Sequence, residues 1–284
     1  MALWTDRTGT FSPVKAAALA LTLAPALWIA AQALLGWLGP RPYTAAIHQS
    51  GDWAVRVLLV SLAISPFRHI FRTTKLFPAR RIIGVAGFAY VALHLVLYIG
   101  DQRFNLVKVA TEIVLRFYLT IGFVALLALA ALAITSTDNW IKRLGADRWQ
   151  KLHQLVFPAV LLALIHDFIQ ARLDVTEPVL MSGLFLWLLG ARVLVKRRIE
   201  LGALALVGLA VVASALTAGT EIAWYSLVRG APALAILENQ FDFEFNIRPT
   251  WWVLAAGLAV AASRLVSARF AAEPAKPMRR TARA

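Results

Sequence analysis

Ile82-Ile-Gly-Val-Ala-Gly-Phe-Ala-Tyr90-Val-Ala-Leu-His94-Leu-Val-Leu-Tyr98-Ile99 is a run of 18 residues with no Asp, Glu, Lys or Arg. As a helix it would span about 27 Å, close to the roughly 30 Å of hydrocarbon in a bilayer. Working outward, apolar runs of similar length recur at 16–37, 53–70, 117–134, 152–169, 179–195, 201–218 and 251–266. Hydrophobic residues make up 60% of the chain and charged residues 15%, far from the balance of a soluble domain. The pattern predicts an all-α integral membrane protein, a polytopic bundle of about eight transmembrane helices.

The first run is longer than the apolar core of a signal peptide and ends at Gly39-Pro40 without a clean small-x-small cleavage site. It reads as a retained helix. The formal charge of +14 would suggest nucleic acid in a soluble protein, but here its distribution gives another answer. Alternating the segments across a membrane places 21 of the 29 Lys and Arg on one side, in the N-terminus, 68–81, 142–151, 192–198 and the stretch from Arg264 onward. This is a positive-inside bias with both termini cytoplasmic, and no nucleic-acid partner is needed to explain it. The opposite side includes an acid-rich segment, 221–248. The chain has no cysteine, so disulfides, iron–sulfur clusters, thiolate-ligated haem and c-type haem attachment are excluded. No Gly-rich phosphate loop or H-E-x-x-H motif occurs, and the loops are too short for a nucleotide-binding domain.

Polar chemistry inside the spans is concentrated in histidine. His94 lies deep in the quoted run, and His153 and His166 share the fifth run. A single buried His is more often a hydrogen-bonded packing residue than a ligand, but ionisable residues in spans are costly and usually face the protein interior. Both runs enter from the same side, which puts His94 and His166 in the same outer half of the bilayer. Two imidazoles at matched depth on facing helices can ligate one haem iron. His153 lies 13 residues before His166, about 20 Å lower, where a second redox centre would fit. On a straight helix the two would point roughly 140° apart, and Pro158 between them can kink or unwind it. The lower site has no evident second ligand. His69 is one substitute, whereas Arg80 and Arg81 suit haem propionates, a flavin phosphate or plain topology signalling. His48 reads as a solvated residue of an outer loop. Asp167 could steer His166 or reach toward water.

Several motifs resemble the ferric-reductase-like transmembrane family: His48-Gln-Ser-Gly51, Ala79-Arg-Arg-Ile-Ile-Gly84, the His94 helix and Arg116-Phe-Tyr-Leu-Thr-Ile-Gly122. They continue in order through Thr135-Ser-Thr, Arg143-Leu-Gly, Trp149-Gln-Lys-Leu-His153 and His166, covering about residues 15–200. Within that family the chain is most similar to haem-binding membrane subunits of bacterial periplasmic methionine sulfoxide reductases. The resemblance implies an inner-membrane electron-transfer subunit, distinct from the catalytic subunit, whose first six helices form the haem-binding core. It implies haem b, one or two per chain, with FMN as a further cofactor. The donor would be the quinone pool or a cytosolic flavin reductase, and the acceptor a periplasmic molybdopterin enzyme that repairs oxidised methionine. Membrane lipid surrounds the chain. His94, His153 and His166 match the family's haem-associated histidines, and Arg80 and Arg81 its paired arginines. Eukaryotic relatives carry a fourth His and an attached flavin and NADPH domain. Here an arginine stands in place of that His and the domain is missing.

These readings divide the chain into a haem-binding transmembrane domain at 1–200, a two-helix extension with an acidic periplasmic loop at 201–268, and a basic, disordered tail at 269–284. The acidic loop, including Glu238 to Phe245, is a candidate dock for a periplasmic partner. The rivals are a stand-alone ferric or other metal reductase, a proton-coupled transporter that uses the histidines and Asp167, and a structural subunit.

Overall fold

The computed structural model describes residues 3–5, 8–244 and 246–272, with side chains to 268. Among these residues there are helices and no strand. In chain order they are α1 (Pro13–Leu34), α2 (Pro42–Ile70), α3 (Arg80–Asp101), α4 (Leu106–Leu115), α5 (Phe117–Ile134) and α6 (Asp138–Leu144). Then follow α7 (Ala146–His153), α8 (Val156–Ala171), α9 (Thr176–Lys196), α10 (Ala203–Arg229), α11 (Ala233–Asn239) and α12 (Pro249–Ala272). Counting α7 and α8 as one, eight elements are long and apolar enough to cross a membrane. The chain is a multi-pass integral membrane protein.

Several boundaries depart from the hydropathy reading. Helix α2 begins at Pro42, so His48 sits on a helix and not in a loop. Pro supplies the first helical position, where its missing N–H costs nothing. Helix α10 runs to Arg229, which takes Glu221 out of the expected acidic loop. The backbone of α12 is helical to Ala272, into the segment read as a disordered tail, and 273–284 lie outside the described residues. The fifth span breaks between His153 and Val156. Pro158 accounts for that break, because its ring meets the carbonyl four residues back, that of Gln154. The Gln154 carbonyl accepts instead from the Phe157 N–H at 3.1 Å, a tighter turn.

Packing is pairwise, α2 on α3 and α5 on α8, with α9 joining α2 and α8 to α10 and α12. One buried cluster runs through all of these except α3, from Leu58 and Leu62 on α2 through Leu164 on α8 and Phe185 on α9 to Leu206 on α10 and Val253 on α12. The last two spans are therefore built into the bundle. Between apolar helices in lipid, close backbone approach replaces hydrophobic drive. At Gly257 an added Cβ would stand 3.1 Å from the Ala210 Cα and 3.0 Å from Trp187 Nε1.

Helix α1 is held by Tyr90 of α3. The Tyr90 hydroxyl donates to the Thr22 carbonyl at 2.7 Å and accepts from the Ala26 N–H at 2.9 Å. Those two groups are i,i+4 partners, so the hydroxyl bridges one rung of α1 beside Pro25, whose missing N–H already breaks the next. We expect Tyr90→Phe to destabilise the protein by about 1–2 kcal/mol, since it removes the bridge from two buried backbone groups. Thermal melting in detergent measures this, and an unchanged Tm would show that α1 closes the rung itself.

Candidate functional site

Six helices, α2, α3, α4, α5, α8 and α9, contribute to the walls of one cavity of about 400 Å³. Its walls are apolar, including Leu58 of α2, Val91 and Leu95 of α3, and Phe123, Leu126 and Leu129 of α5. His94 of α3 and His166 of α8 face each other across it, with ring centres 6.2 Å apart and planes crossed at 87°. Each ring is held by a carbonyl of the neighbouring helix. His94 Nδ1 lies 2.9 Å from the Ile47 oxygen, and His166 Nδ1 lies 2.8 Å from the Tyr118 oxygen. A carbonyl only accepts, so both Nδ1 atoms carry the proton and both neutral rings keep a lone pair on Nε2. A nitrogen–metal bond of about 2 Å on each side, plus about 1 Å from nitrogen to ring centre, gives roughly 6 Å between centres. The observed 6.2 Å would leave room for one metal ion between two such imidazoles.

The far end of the cavity, away from the basic loops, is polar. Asp52, Asp167, Asp174 and Glu177 line it together with His48, which is exposed there. Arg56 donates from Nε to Glu177 Oε1 at 2.9 Å and also pairs with that oxygen through its terminal nitrogen at 2.8 Å, linking α2 to α9 across the rim. Asp174, in the turn after α8, accepts from the Thr176 side chain and backbone N–H, which hold its carboxyl below the usual range. The short amphipathic α4 packs on α5 beside this end, and its Ile113 reaches the cavity.

The other candidates lie at the basic end. His153 stacks on Trp149 at 3.8 Å. Its Nδ1 lies 3.0 Å from the Trp149 carbonyl, and its Nε2 lies 3.3 Å from Ser136 Oγ. No second imidazole meets it. His69 is exposed at the end of α2 and makes no hydrogen bond or ring contact among the described residues. The arginine pair divides: Arg81 is bound to Asp138 at 2.5 Å, whereas Arg80 makes no ion pair among the described residues. Arg80 instead stands near enough to His153 and to Arg192 of α9 to act on both electrostatically. Arg192, which the sequence reading passed over, lies over the Phe157 ring and donates to the Leu62 and Leu188 carbonyls. No group of three or more His, Asp or Glu among the described residues is arranged around a metal position.

This fold and site define a class. Residues 50–164 match the family model described as the ferric reductase like transmembrane component. A heme-binding subunit, MsrQ, of the protein-methionine-sulfoxide reductase of Rhodospirillum rubrum is 40% identical over 179 residues, covering 62% of this chain and 86% of that protein. The corresponding subunit of Caulobacter vibrioides is 37% identical over 176 residues, covering 62% and 84%. That of Xanthomonas campestris is 40% identical over 187 residues, covering 61% and 85%. The chain belongs to the MsrQ family. No solved structure matches it.

Proposed function

We propose that this chain is the transmembrane electron-transfer subunit of a methionine sulfoxide reductase system, with haem b held between His94 and His166. The observation that carries the reading is the pair of imidazoles with ring centres 6.2 Å apart, each held through Nδ1 by a carbonyl, in an apolar cavity. The names of its relatives, heme-binding subunits, support it. Haem bound there supplies one-electron chemistry at iron. The chain's own residues do the rest. The Ile47 and Tyr118 carbonyls fix the tautomer of each ligand and raise its basicity. Leu58, Phe123 and Leu126 exclude water, and the Arg56–Glu177 pair ties the rim together.

In this reading the basic end is cytoplasmic, both termini lie on that side, and the membrane is the bacterial inner membrane. Electrons enter there from the quinone pool or a cytosolic flavin reductase. They leave at the carboxylate-lined end toward a periplasmic molybdopterin-containing catalytic subunit. Arg80, with Arg192 behind it, is the cation available to an anionic cofactor group, either the phosphate of FMN or the propionate of a second haem at His153. Arg81 is occupied by Asp138. The division at 1–200, 201–268 and 269–284 remains part of this proposal. Glu221 does not contribute to a docking loop, because it is buried. One observation favours a second reading: the carboxylate rim would attract cations, as a stand-alone metal reductase requires.

The deciding measurement is a dithionite-reduced minus oxidised spectrum of the detergent-purified protein, with pyridine haemochrome quantification. A b-type α band with near or above one haem per chain is expected. A protein that stays colourless after haem supplementation overturns the proposal. Reoxidation of the reduced protein by a catalytic subunit, compared with ferric chelates, then separates the two acceptors.

A further inference from the structure

The two histidines are seated by the same local device on two different helices. On α2 the Ile47 carbonyl takes the His94 Nδ1–H, and Gly51 lies four residues later. On α5 the Tyr118 carbonyl takes the His166 Nδ1–H, and Gly122 lies four residues later. In an α-helix, residues i and i+4 share a face, and the Cα–Cβ bond of i+4 tilts back toward residue i. A side chain at i+4 therefore covers the flank of the carbonyl at i. Here a ring occupies that flank. A Cβ added at Gly51 would lie 3.2 Å from His94 Nδ1 and 3.3 Å from its Cε1. At Gly122 it would lie 3.0 Å from His166 Nδ1, 3.1 Å from Cε1 and 3.3 Å from Cγ. Both sets are tighter than ordinary carbon contacts of about 3.5–4.0 Å. Every other glycine with a close neighbour meets Leu, Ser, Thr, Tyr, Val, Trp or Ala.

We propose that Gly51 and Gly122 are positioning residues: each keeps open the flank of the carbonyl that holds its histidine, and together they set the crossed planes of the two imidazoles. The inference rests on His94 and His166 being the axial ligands of one iron. With Nε2 tied to the metal and Nδ1–H to the carbonyl, little remains free except rotation of the ring about its Nε2 axis. A methyl group on the helix beside the ring drives that rotation. The two sequence contexts, Ile47-His-Gln-Ser-Gly51 and Tyr118-Leu-Thr-Ile-Gly122, share only the spacing, so the device arises twice from geometry.

Ring rotation has a spectroscopic signature that helix stability does not share. Low-spin ferric haem between crossed imidazoles gives a highly anisotropic EPR signal dominated by one low-field feature, and parallel planes give a rhombic three-feature signal. The experiment is EPR of the oxidised, purified wild type and of Gly51→Ala, Gly122→Ala and Gly219→Ala, with haem per chain measured on each. Gly219 lies on α10 with nothing within 4 Å of an added Cβ, so it controls for the glycine-to-alanine change itself. The expected result is a highly anisotropic wild type, retained in Gly219→Ala and shifted toward the rhombic form in each of the other two. Loss of haem from a monodisperse Gly51→Ala or Gly122→Ala protein, with Gly219→Ala replete, also supports positioning. A replete wild type whose signal neither alanine moves overturns the proposal alone, as does a rhombic wild type, a result that needs no variant to fold. A wild type that takes up no haem overturns the ligand reading as well.

Discussion

Replacing His94 or His166 by alanine should remove the haem proposed for the cavity, while replacing His48 should leave it in place. All three histidines lie at a similar depth and line one cavity, so position in the sequence does not separate them. Geometry does. His94 and His166 are opposed across 6.2 Å, each oriented by a carbonyl of the helix beside it. His48 is exposed at the rim and has no such support. Loss of a second-shell partner typically costs 10–100-fold in metal affinity, and loss of an axial ligand from an apolar cavity should exceed that. The haem content of the two alanine variants should therefore fall below a tenth of wild type by pyridine haemochrome. His153→Ala, in contrast, should spare this haem and remove only what binds at the basic end. Equal haem in the His48, His94 and His166 variants would discard the ligand assignment.

Hydropathy and charge make the membrane class and the number of spans legible, because both depend on composition along one segment. The misplaced ends have a common physical cause. Hydropathy alone starts α2 at Trp53, because residues such as His48 and Asp52 lower it, yet they line the cavity from a continuous helix. Hydropathy ends α10 early because Glu221 is ionisable, and the partners that permit its burial are 19 and 27 residues away, in Gln240 and Arg248. Polar side chains that face an interior look, in sequence, like the end of a span.

The site divides along the same line. Matched depth, a count of residues within each span, suggests that His94 and His166 meet, and their rings do lie 6.2 Å apart, but depth alone does not set them apart from His48. The carbonyls of Ile47 and Tyr118 were not legible, since every residue has one and only a helix crossing selects which receives an imidazole. The two glycines stood within the quoted motifs, but their role depends on which ring lies against them. Arg80 and Arg81 differ by one residue and hence by about 100° around α3. That turn sends Arg81 to Asp138 and leaves Arg80 over the Phe77 ring with no ion pair among the described residues, a division that no property of the pair in sequence announces.

Arg248→Ala, just before α12, should be the most destabilising single change in the stretch from α10 to α12. The Glu221 side chain has no exposed surface, and that of Arg248 is 12% exposed. The two residues that bound the expected acidic loop thus form a buried ion pair. Around it, Gln240 donates to Glu221 at 3.0 Å and accepts from the Thr250 hydroxyl at 2.8 Å, while Ser214 donates to the Thr250 carbonyl at 3.0 Å. Trp251 adds a bond to the Gln240 carbonyl at 2.6 Å. The network pins α10, the segment after α11 and the start of α12 to one another. Removing Arg248 leaves a buried carboxylate with one amide donor, a loss of about 3–5 kcal/mol for a broken buried pair. At roughly 2–4 °C per kcal/mol, the melting temperature in detergent should fall by about 10 °C. The same reasoning gives the opposite sign for the pair as a whole. Glu221→Leu combined with Arg248→Met removes both charges and fills the volume, and such replacements are often neutral or stabilising by about 1–4 kcal/mol. A double variant as unstable as Arg248→Ala would mean that the geometry of the network, and not the uncompensated charge, holds these helices together.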